Sequence, residues 1–502
     1  MAATQLGNAT GITGNYSETE DKYTFVSPSD GYYVVVCEAT GSEGENWKAS
    51  SLGMLTIIDN AATQIGTGKA KVGLPQAVKK VQENNEANTA TLTPNAPGET
   101  DNTYNDVADW NIGDAVPFRL YGTLPDDYAK YDKYFYQFND SLDSQFDLPA
   151  EVKVTVGGIT YTFTKNSEST TYSCETGTGT GTITVTGTAD NKLTVKIADL
   201  KAYIPTKSTD AENPDVVKVD YSAVLNATAK AGTAGQENKV SLTYSNNPNQ
   251  SSGGETSPTG ETPKDKVIVF TYDMKFQKSF WNGQSDLTQQ EIKDGTYTDL
   301  RFTVTTKDKE DKDVTIYVKP YTSAEGEAYD YVVCASTDEG AIKDIPLVLI
   351  DSTTGEQSDN GDKLVIRIKG LDDGEYTIQE SEKENGKAGA AEYDNDKSIT
   401  ATLTANTRNT NGDYDKTSNS DTMKPIISEK EDYSVAVMDE VNKDEEGKPT
   451  KTEVGDIQNK KGISLPSTGG IGTTLFYVVG GVLVAGAGVT LITKKRLGDS
   501  ER

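Results

Sequence analysis

A lysine, an acid and an asparagine recur twice along this chain in that order, each in phase with a row of apolar side chains. Side chains two apart on a strand share a face. In KYFYQFND, Tyr134, Tyr136, Phe138 and Asp140 are in phase, so a carboxyl group continues a row of aromatics. In VSLTYSN, Val240, Leu242, Tyr244 and Asn246 do the same, and upstream Ala77, Lys79 and Val81 are in phase. Further along, Tyr272, Met274, Phe276 and Lys278 form one face of YDMKFQK, Tyr376, Ile378 and Glu380 form one face of YTIQE, and Ile457 and Asn459 close the series.

Lysines and acids on apolar faces are costly unless paired or neutralised. Taken singly, each of these residues reads as a strand-end or sheet-edge group turned to water. Taken together, the six read as chemistry. A lysine desolvated among aromatics has its pKa lowered and becomes a neutral amine, while a buried carboxyl has its pKa raised and stays protonated. A neutral amine is a nucleophile, and a neutral acid can hydrogen-bond the asparagine carboxamide oxygen and shuttle protons. Folding that holds amine and amide in contact supplies the effective molarity an unactivated amide needs. The expected product is a Lys–Asn isopeptide bond, with loss of ammonia. Lys80 and Lys275 neighbour the chosen lysines out of phase, and a β-bulge would exchange the roles.

The elements that must position these groups are strands. Alternating runs rich in Val, Thr, Tyr and Ile recur at Tyr32–Cys37, Val152–Val156, Thr182–Val185, Leu193–Ile197, Val240–Tyr244, Val267–Tyr272 and Leu364–Ile368. Helical periodicity is scarce, so the chain reads as all-β. Gly, Asn, Asp and Ser punctuate the runs as turns require. The polar stretch Asn249–Lys264 lacks an apolar pattern and reads as a linker, and GTGKAKVGLP from Gly66 to Pro75 marks an earlier boundary. The expected organisation is a partial module over 1–70, a β-sandwich over 71–250, a linker over 251–264, a second β-sandwich over 265–460 and a C-terminal segment over 461–502. Each sandwich is large enough for Greek-key connections.

Composition narrows the function. The 502 residues carry a formal net charge of −29, which argues against nucleic acid, whose phosphates call for Lys and Arg. Histidine is absent, so no Ser-His-Asp triad, Cys-His pair or imidazole metal site can be built. Cys37, Cys174 and Cys334 are widely spaced and odd in number and do not read as a disulfide framework. Scattered acids such as Asp394 and Asp396 offer no metal-ligand cluster. Neither metal nor cofactor is expected, and an extracellular enzyme is the least supported class.

The C-terminus carries an address. Ile471–Ile492 has no charge and is long enough to cross a hydrocarbon core, and Lys494, Lys495 and Arg496 follow it directly. A basic cluster at the end of a span stays on the cytoplasmic side, so everything before Leu465 is expected outside the cell. Met1–Asp21 has no basic stretch followed by an apolar one. The sequence is therefore expected to start downstream of an export signal, with its first module incomplete.

Leu465, Pro466, Ser467, Thr468 and Gly469 resemble the LPxTG sorting signal of Gram-positive surface proteins. The resemblance implies that a sortase cuts between Thr468 and Gly469, with Thr468 as acyl donor, after transient membrane insertion of the C-terminal segment. The C-terminal module resembles the immunoglobulin-like Cna B-type domain of Gram-positive pilins. GLDDGEYTIQES is similar to its E-box strand, with Glu380 at the acid position, and IQNKKGISLPSTGG to the segment joining the bonding Asn to the sorting signal. The middle module resembles that of major (backbone) pilins through DVADWNIGDAVPFRLYGTLP, the FND of Asp140 and VSLTYSNNPN. The resemblance implies bonds from Lys79 to Asn246, promoted by Asp140, and from Lys278 to Asn459, promoted by Glu380.

Backbone pilins pass the Thr acyl group to a lysine of the next subunit, usually in a YPK-like motif. This sequence has no YPK, and its nearest match is Lys71 in GKAKVGLPQAVKK, with Lys69 as rival. After Glu380 the charged stretch SEKENGKAGAAEY departs from the family's short apolar segment. The resemblance implies the shaft subunit of a sortase-assembled pilus that supports adhesion. Its partners would be a pilin-polymerising and a housekeeping sortase, identical subunits, accessory pilins and peptidoglycan. The alternative is a monomeric wall-anchored adhesin or accessory pilin that binds a host or bacterial partner.

Overall fold

The alternation in the sequence is realised as strands in a computed structural model of the chain. It describes residues 73–84 and, apart from short breaks, 103–281 and 300–382, with 288 and 291 between them, together with the strand segments 15–17, 22–24, 31–37, 51–57, 398–405, 433–438 and 455–460. Strand Val216–Val224 illustrates the cause. Val217, Val219, Tyr221 and Ala223 are buried, while the residues between them are not, the period-two pattern of a strand with one face on the core. The all-β expectation holds, with short 3₁₀ turns at Tyr128–Lys130, Leu200–Ala202, Pro248–Gln250 and Gly254–Thr256.

The middle module is a pair of facing sheets. One runs, in spatial order, Tyr172–Cys174, Ile159–Lys165, Glu151–Val156, Val216–Val224, Ala115–Thr123, Ala77–Gln82 and Tyr104–Asn105. The other runs Ile183–Gly187, Lys192–Ile197, Tyr136–Leu142, Gln236–Ser245, Asp265–Phe270 and Val107–Asp109, with Thr259–Glu261 also paired to Gln236–Ser245. Phe118, Leu120, Val219, Phe138, Val240 and Leu242 pack between them. The sheets approach closely at Gly122, where a Cβ would lie 2.2 Å from the Tyr136 hydroxyl. Without it, the hydroxyl crosses the gap and donates to the Thr123 carbonyl at 2.9 Å.

The C-terminal module repeats the plan. Tyr317–Pro320, Tyr331–Cys334, Lys363–Leu371, Tyr272–Trp281 and Gly455–Lys460 form one sheet; Asp313–Thr315, Leu300–Lys307, Gly374–Glu382, Ser398–Ala405 and Tyr433–Met438 form the other. Phe276 and Phe302 meet edge to face between them, centroids 5.4 Å apart. In the N-terminal region, Asn15–Ser17 pairs with Lys22–Thr24 and Gly31–Cys37 with Ser51–Ile57.

Two expected boundaries move. The polar stretch taken as a linker is part of the middle module: Ser251, Ser257 and Thr262 are buried, and Thr259–Glu261 hydrogen-bonds along Gln236–Ser245. Asp265–Phe270, assigned to the C-terminal module, instead pairs with Gln236–Ser245 and, in parallel, with Val107–Asp109. The chain passes to the next module at Thr271. Composition missed this because the pairing uses backbone groups, which every non-proline residue carries.

The modules are docked rather than strung. Gly370 is the extra residue of a β-bulge, as the register shifts between the Tyr272–Leu371 and Asp273–Lys369 pairs. The Ile112 amide donates to the Gly370 carbonyl at 2.9 Å, and the Asp372 amide donates to Asn111 Oδ1 at 3.0 Å. Gly370 has φ +99°, and a Cβ there would lie 2.6 Å from Ile112.

Candidate functional site

Lys79 lies on Ala77–Gln82, the next-to-edge strand of its sheet, and points between the sheets with no solvent exposure. Its Nζ donates to Asp140 Oδ1 at 2.5 Å and to the Tyr221 hydroxyl at 2.9 Å. Asp140 comes from the facing sheet and Tyr221 from Lys79's own sheet, with the Ala115–Thr123 strand between. The Phe118 ring lies 5.2 Å from Nζ. Burial pulls the Lys79 amine down to about 8, against the attraction of Asp140 and Asp265. Asp265 accepts the Lys79 backbone amide at 2.7 Å; burial and nearby Asp106 push its own carboxyl up to about 6. Strand parity singles out Lys79 correctly as the residue facing Asp140. Lys80, also buried, pairs with Asp106 instead.

The asparagine beside this lysine is not the expected one. Asp140 sits opposite Val240, so Asn246, six residues further, lies roughly 20 Å away along the strand direction. Asn246 follows the end of the strand, where its amide donates to the Pro258 carbonyl. Asn238 takes the place: it is fully buried opposite Leu142, and its Nδ2 donates to the Tyr221 hydroxyl at 2.8 Å. Lys79 Nζ and Asn238 Nδ2 therefore bond to one oxygen and are at most the sum of those two contacts apart. Asn238 Oδ1 has no hydrogen-bond partner among the described residues. Asn238 shares the face of Val240, Leu242 and Tyr244, so reading the same alternation backwards along the strand would have reached it.

Tyr221 was also missed, although it sits in phase with Val217, Val219 and Ala223. Its oxygen accepts from Lys79 and Asn238 and donates to Asp140 Oδ2. Burial first, then the Asp140 charge, holds its phenol well above the ordinary range. The expectation placed the acid directly on the carboxamide oxygen. In the structure both carboxylate oxygens of Asp140 are engaged by Lys79 and Tyr221, and Tyr221 bridges to the asparagine.

In the C-terminal module, Lys278 and Glu380 come from opposite sheets and are both nearly fully buried, with Nζ and Oε2 3.8 Å apart. Lys278 Nζ donates to the Ile457 carbonyl at 3.1 Å and lies 4.8 Å from the Phe280 ring centroid. Gly455–Lys460 runs parallel to Tyr272–Trp281, with Ile457 beside Lys278 and Asn459 beside Phe280. The backbone thus brings Lys278, Glu380 and the Asn459 strand together. Lys275, out of phase, pairs with Asp273.

Among the described residues, Asp109, Asp372 and Asp373 bring carboxylate oxygens within 4.8 Å of one another at the module junction. Burial, with Asp109, Glu83 and Asp373 close by, pushes the Asp372 carboxyl well up. The group is a set of acids alone and is not assigned a ligand. No helix among the described residues is long and apolar enough to cross a membrane. Lys69, Lys71, Leu465–Gly469 and the expected span 471–492 lie outside the described residues.

Residues 457–496 match the family model of the LPXTG cell wall anchor motif. No curated protein matches the chain. Among solved structures, the full-length major pilin RrgB from Streptococcus pneumoniae is similar at 13% identity and a TM-score of 0.38, covering 90% of each chain. The major pilin subunit BcpA of Bacillus cereus is similar at 13% identity and a TM-score of 0.34, covering 90% of this chain and 94% of its own. A 35 kDa C-terminal fragment of the major pilin GBS80 of Streptococcus agalactiae is similar at 15% identity and a TM-score of 0.37, covering 77% of this chain and 99% of its own. With Leu465–Gly469 inside the matched anchor motif, the chain is a secreted protein anchored to the Gram-positive cell wall.

Proposed function

We propose that this protein is a structural shaft subunit of a sortase-assembled pilus, with each of its two larger modules closed by an intramolecular Lys–Asn isopeptide bond. The observation that carries the reading is the buried contact of Lys79 with Asp140, with the Asn238 carboxamide one shared hydroxyl away. The bonds would join Lys79 to Asn238 and Lys278 to Asn459, promoted by Asp140 and Glu380. A covalent tie between strands keeps a module from unravelling under tension, a role disulfides fill elsewhere. The protein acts on itself only, and serves sortase as a substrate.

Polymerisation would join Thr468 of one subunit to Lys71 of the next, with Lys69 as the rival acceptor; the basal subunit would pass to peptidoglycan. The experiment is a wall extract from cells that express the chain with a pilin-polymerising sortase. The wild type should give a ladder of high-mass species. The Thr468→Ala chain and the Lys69→Ala/Lys71→Ala double variant should each lose it. A ladder that persists in the double variant would exclude both acceptors, and no ladder from the wild type would leave a monomeric wall-anchored protein.

A further inference from the structure

We propose that Tyr221 is a catalytic residue of the middle module, a phenol that relays the proton from Lys79 Nζ to the departing nitrogen of Asn238. The inference rests on the reading that this lysine and asparagine condense. Tyr221 is the group that touches both nitrogens whose bonds change, at 2.9 and 2.8 Å, and it also donates to Asp140. A residue present only to fill space between Phe118 and the facing sheet would need a ring and no hydroxyl.

The proton count closes. The neutral Lys79 amine attacks Asn238 Cγ, forming the Nζ–Cγ bond. Nζ then holds one proton too many, and Nδ2 needs one to leave as ammonia. Asp140 takes the proton from Nζ, Tyr221 passes its own to Nδ2, and Asp140 restores the phenol. The Cγ–Nδ2 bond breaks, ammonia leaves, and Asp140 and Tyr221 end as they began. Burial keeps the phenol protonated at neutral pH, so it has a proton to give. Nδ2 rather than Oδ1 faces the hydroxyl and donates to it before reaction; once attack makes Cγ tetrahedral, Nδ2 gains the lone pair that takes the phenol proton.

The test follows bond formation in the full chain recovered unfolded from inclusion bodies and refolded by dilution. Mass spectrometry of a proteolytic digest, sampled over time, reports the cross-linked peptide containing Lys79 and Asn238. Tyr221→Phe keeps the ring and should slow its appearance about a hundredfold, within the range for general acid–base catalysis. Formation at the wild-type rate would overturn the relay while leaving the bond intact. Absence of the cross-linked peptide from the wild type would instead sink the isopeptide reading itself.

Near-UV circular dichroism compares Tyr221→Phe with Asn238→Ala, which keeps the phenol and cannot bond. If Tyr221→Phe fails to fold, the wild-type chain made with 3-fluorotyrosine decides. Its more acidic phenols should change the rate of cross-linking, and an unchanged rate overturns the proposal.

Discussion

Asn238 and Tyr221 face each other across the middle sandwich, the carboxamide nitrogen donating to the phenol oxygen at 2.8 Å. That contact brings Asn238, and not Asn246, beside Lys79, and the proposed bond is assigned to it for that reason. Asn238→Ala should therefore restore the mass of one ammonia molecule to the intact folded chain, and Asn246→Ala should restore none. Closing the long loop from Lys79 to Asn238 is worth about 5 kcal/mol if the cross-link acts through chain entropy as a disulfide does. Asn238→Ala should lower the unfolding midpoint of this module accordingly. An Asn246→Ala chain that regains the ammonia would reverse the assignment.

The lowered Lys79 pKa sets a pH dependence for bond formation. Refolded wild-type chain should cross-link faster as pH rises and level off above about 8, where the amine is neutral. A rate independent of pH between 6 and 9, on the order of this window, would contradict an amine that must first lose its proton.

The same shift affects stability in a chain that cannot bond. In Asn238→Ala the folded amine titrates near 8 and the unfolded one near 10.5, so between these values the unfolded state binds more protons. Stability then rises with pH across that window, by on the order of 3 kcal/mol for a fully buried group. Denaturant melts at either end of the window measure it. Below pH 8 both states hold the proton and the contribution is flat.

Glu380 stands 3.8 Å from Lys278 in a site closed to solvent. Glu380→Ala should restore one ammonia to the intact mass and leave the Lys79–Asn238 peptide in place, because the two sites lie in separate sandwiches. It also leaves a buried lysine without its acid, a change that costs about 3–5 kcal/mol where a buried pair is broken. Loss of both cross-links from this one substitution would show that the modules do not react independently.

Gly370 makes the junction through its bulge. Gly370→Ala places a Cβ 2.6 Å from Ile112 at a φ of +99°, a conformation L side chains rarely adopt. The expected cost is about 1–3 kcal/mol. Amide exchange at Ile112, whose N–H is held by the Gly370 carbonyl, should speed up by about tenfold for each 1.4 kcal/mol lost. Unchanged protection would mean that the docked geometry does not depend on the bulge.

Alternation in the sequence was enough to put Lys79, Asp140, Lys278 and Glu380 on inward faces, because a period of two fixes which face a side chain takes and these four continue apolar rows. It left Asn238 and Asn246 equivalent, since both are in phase with Val240, Leu242 and Tyr244. Only the antiparallel register, with Val240 opposite Asp140, sets the height along the strand and so decides between them.

Tyr221 lies beyond local pattern for a related reason. Its hydroxyl meets groups from three other strands, and nothing within Val216–Val224 announces them. Asn249–Lys264 shows the same limit in the backbone: its composition is that of a linker, yet its amides and carbonyls complete a sheet. The anchor motif is the opposite case. Leu465–Gly469, the apolar run and the basic cluster are contiguous and follow one another in linear order, so the sequence by itself determined the anchor motif. The buried lysine–acid constellations needed the tertiary structure, because their geometry is made by residues that only folding brings together.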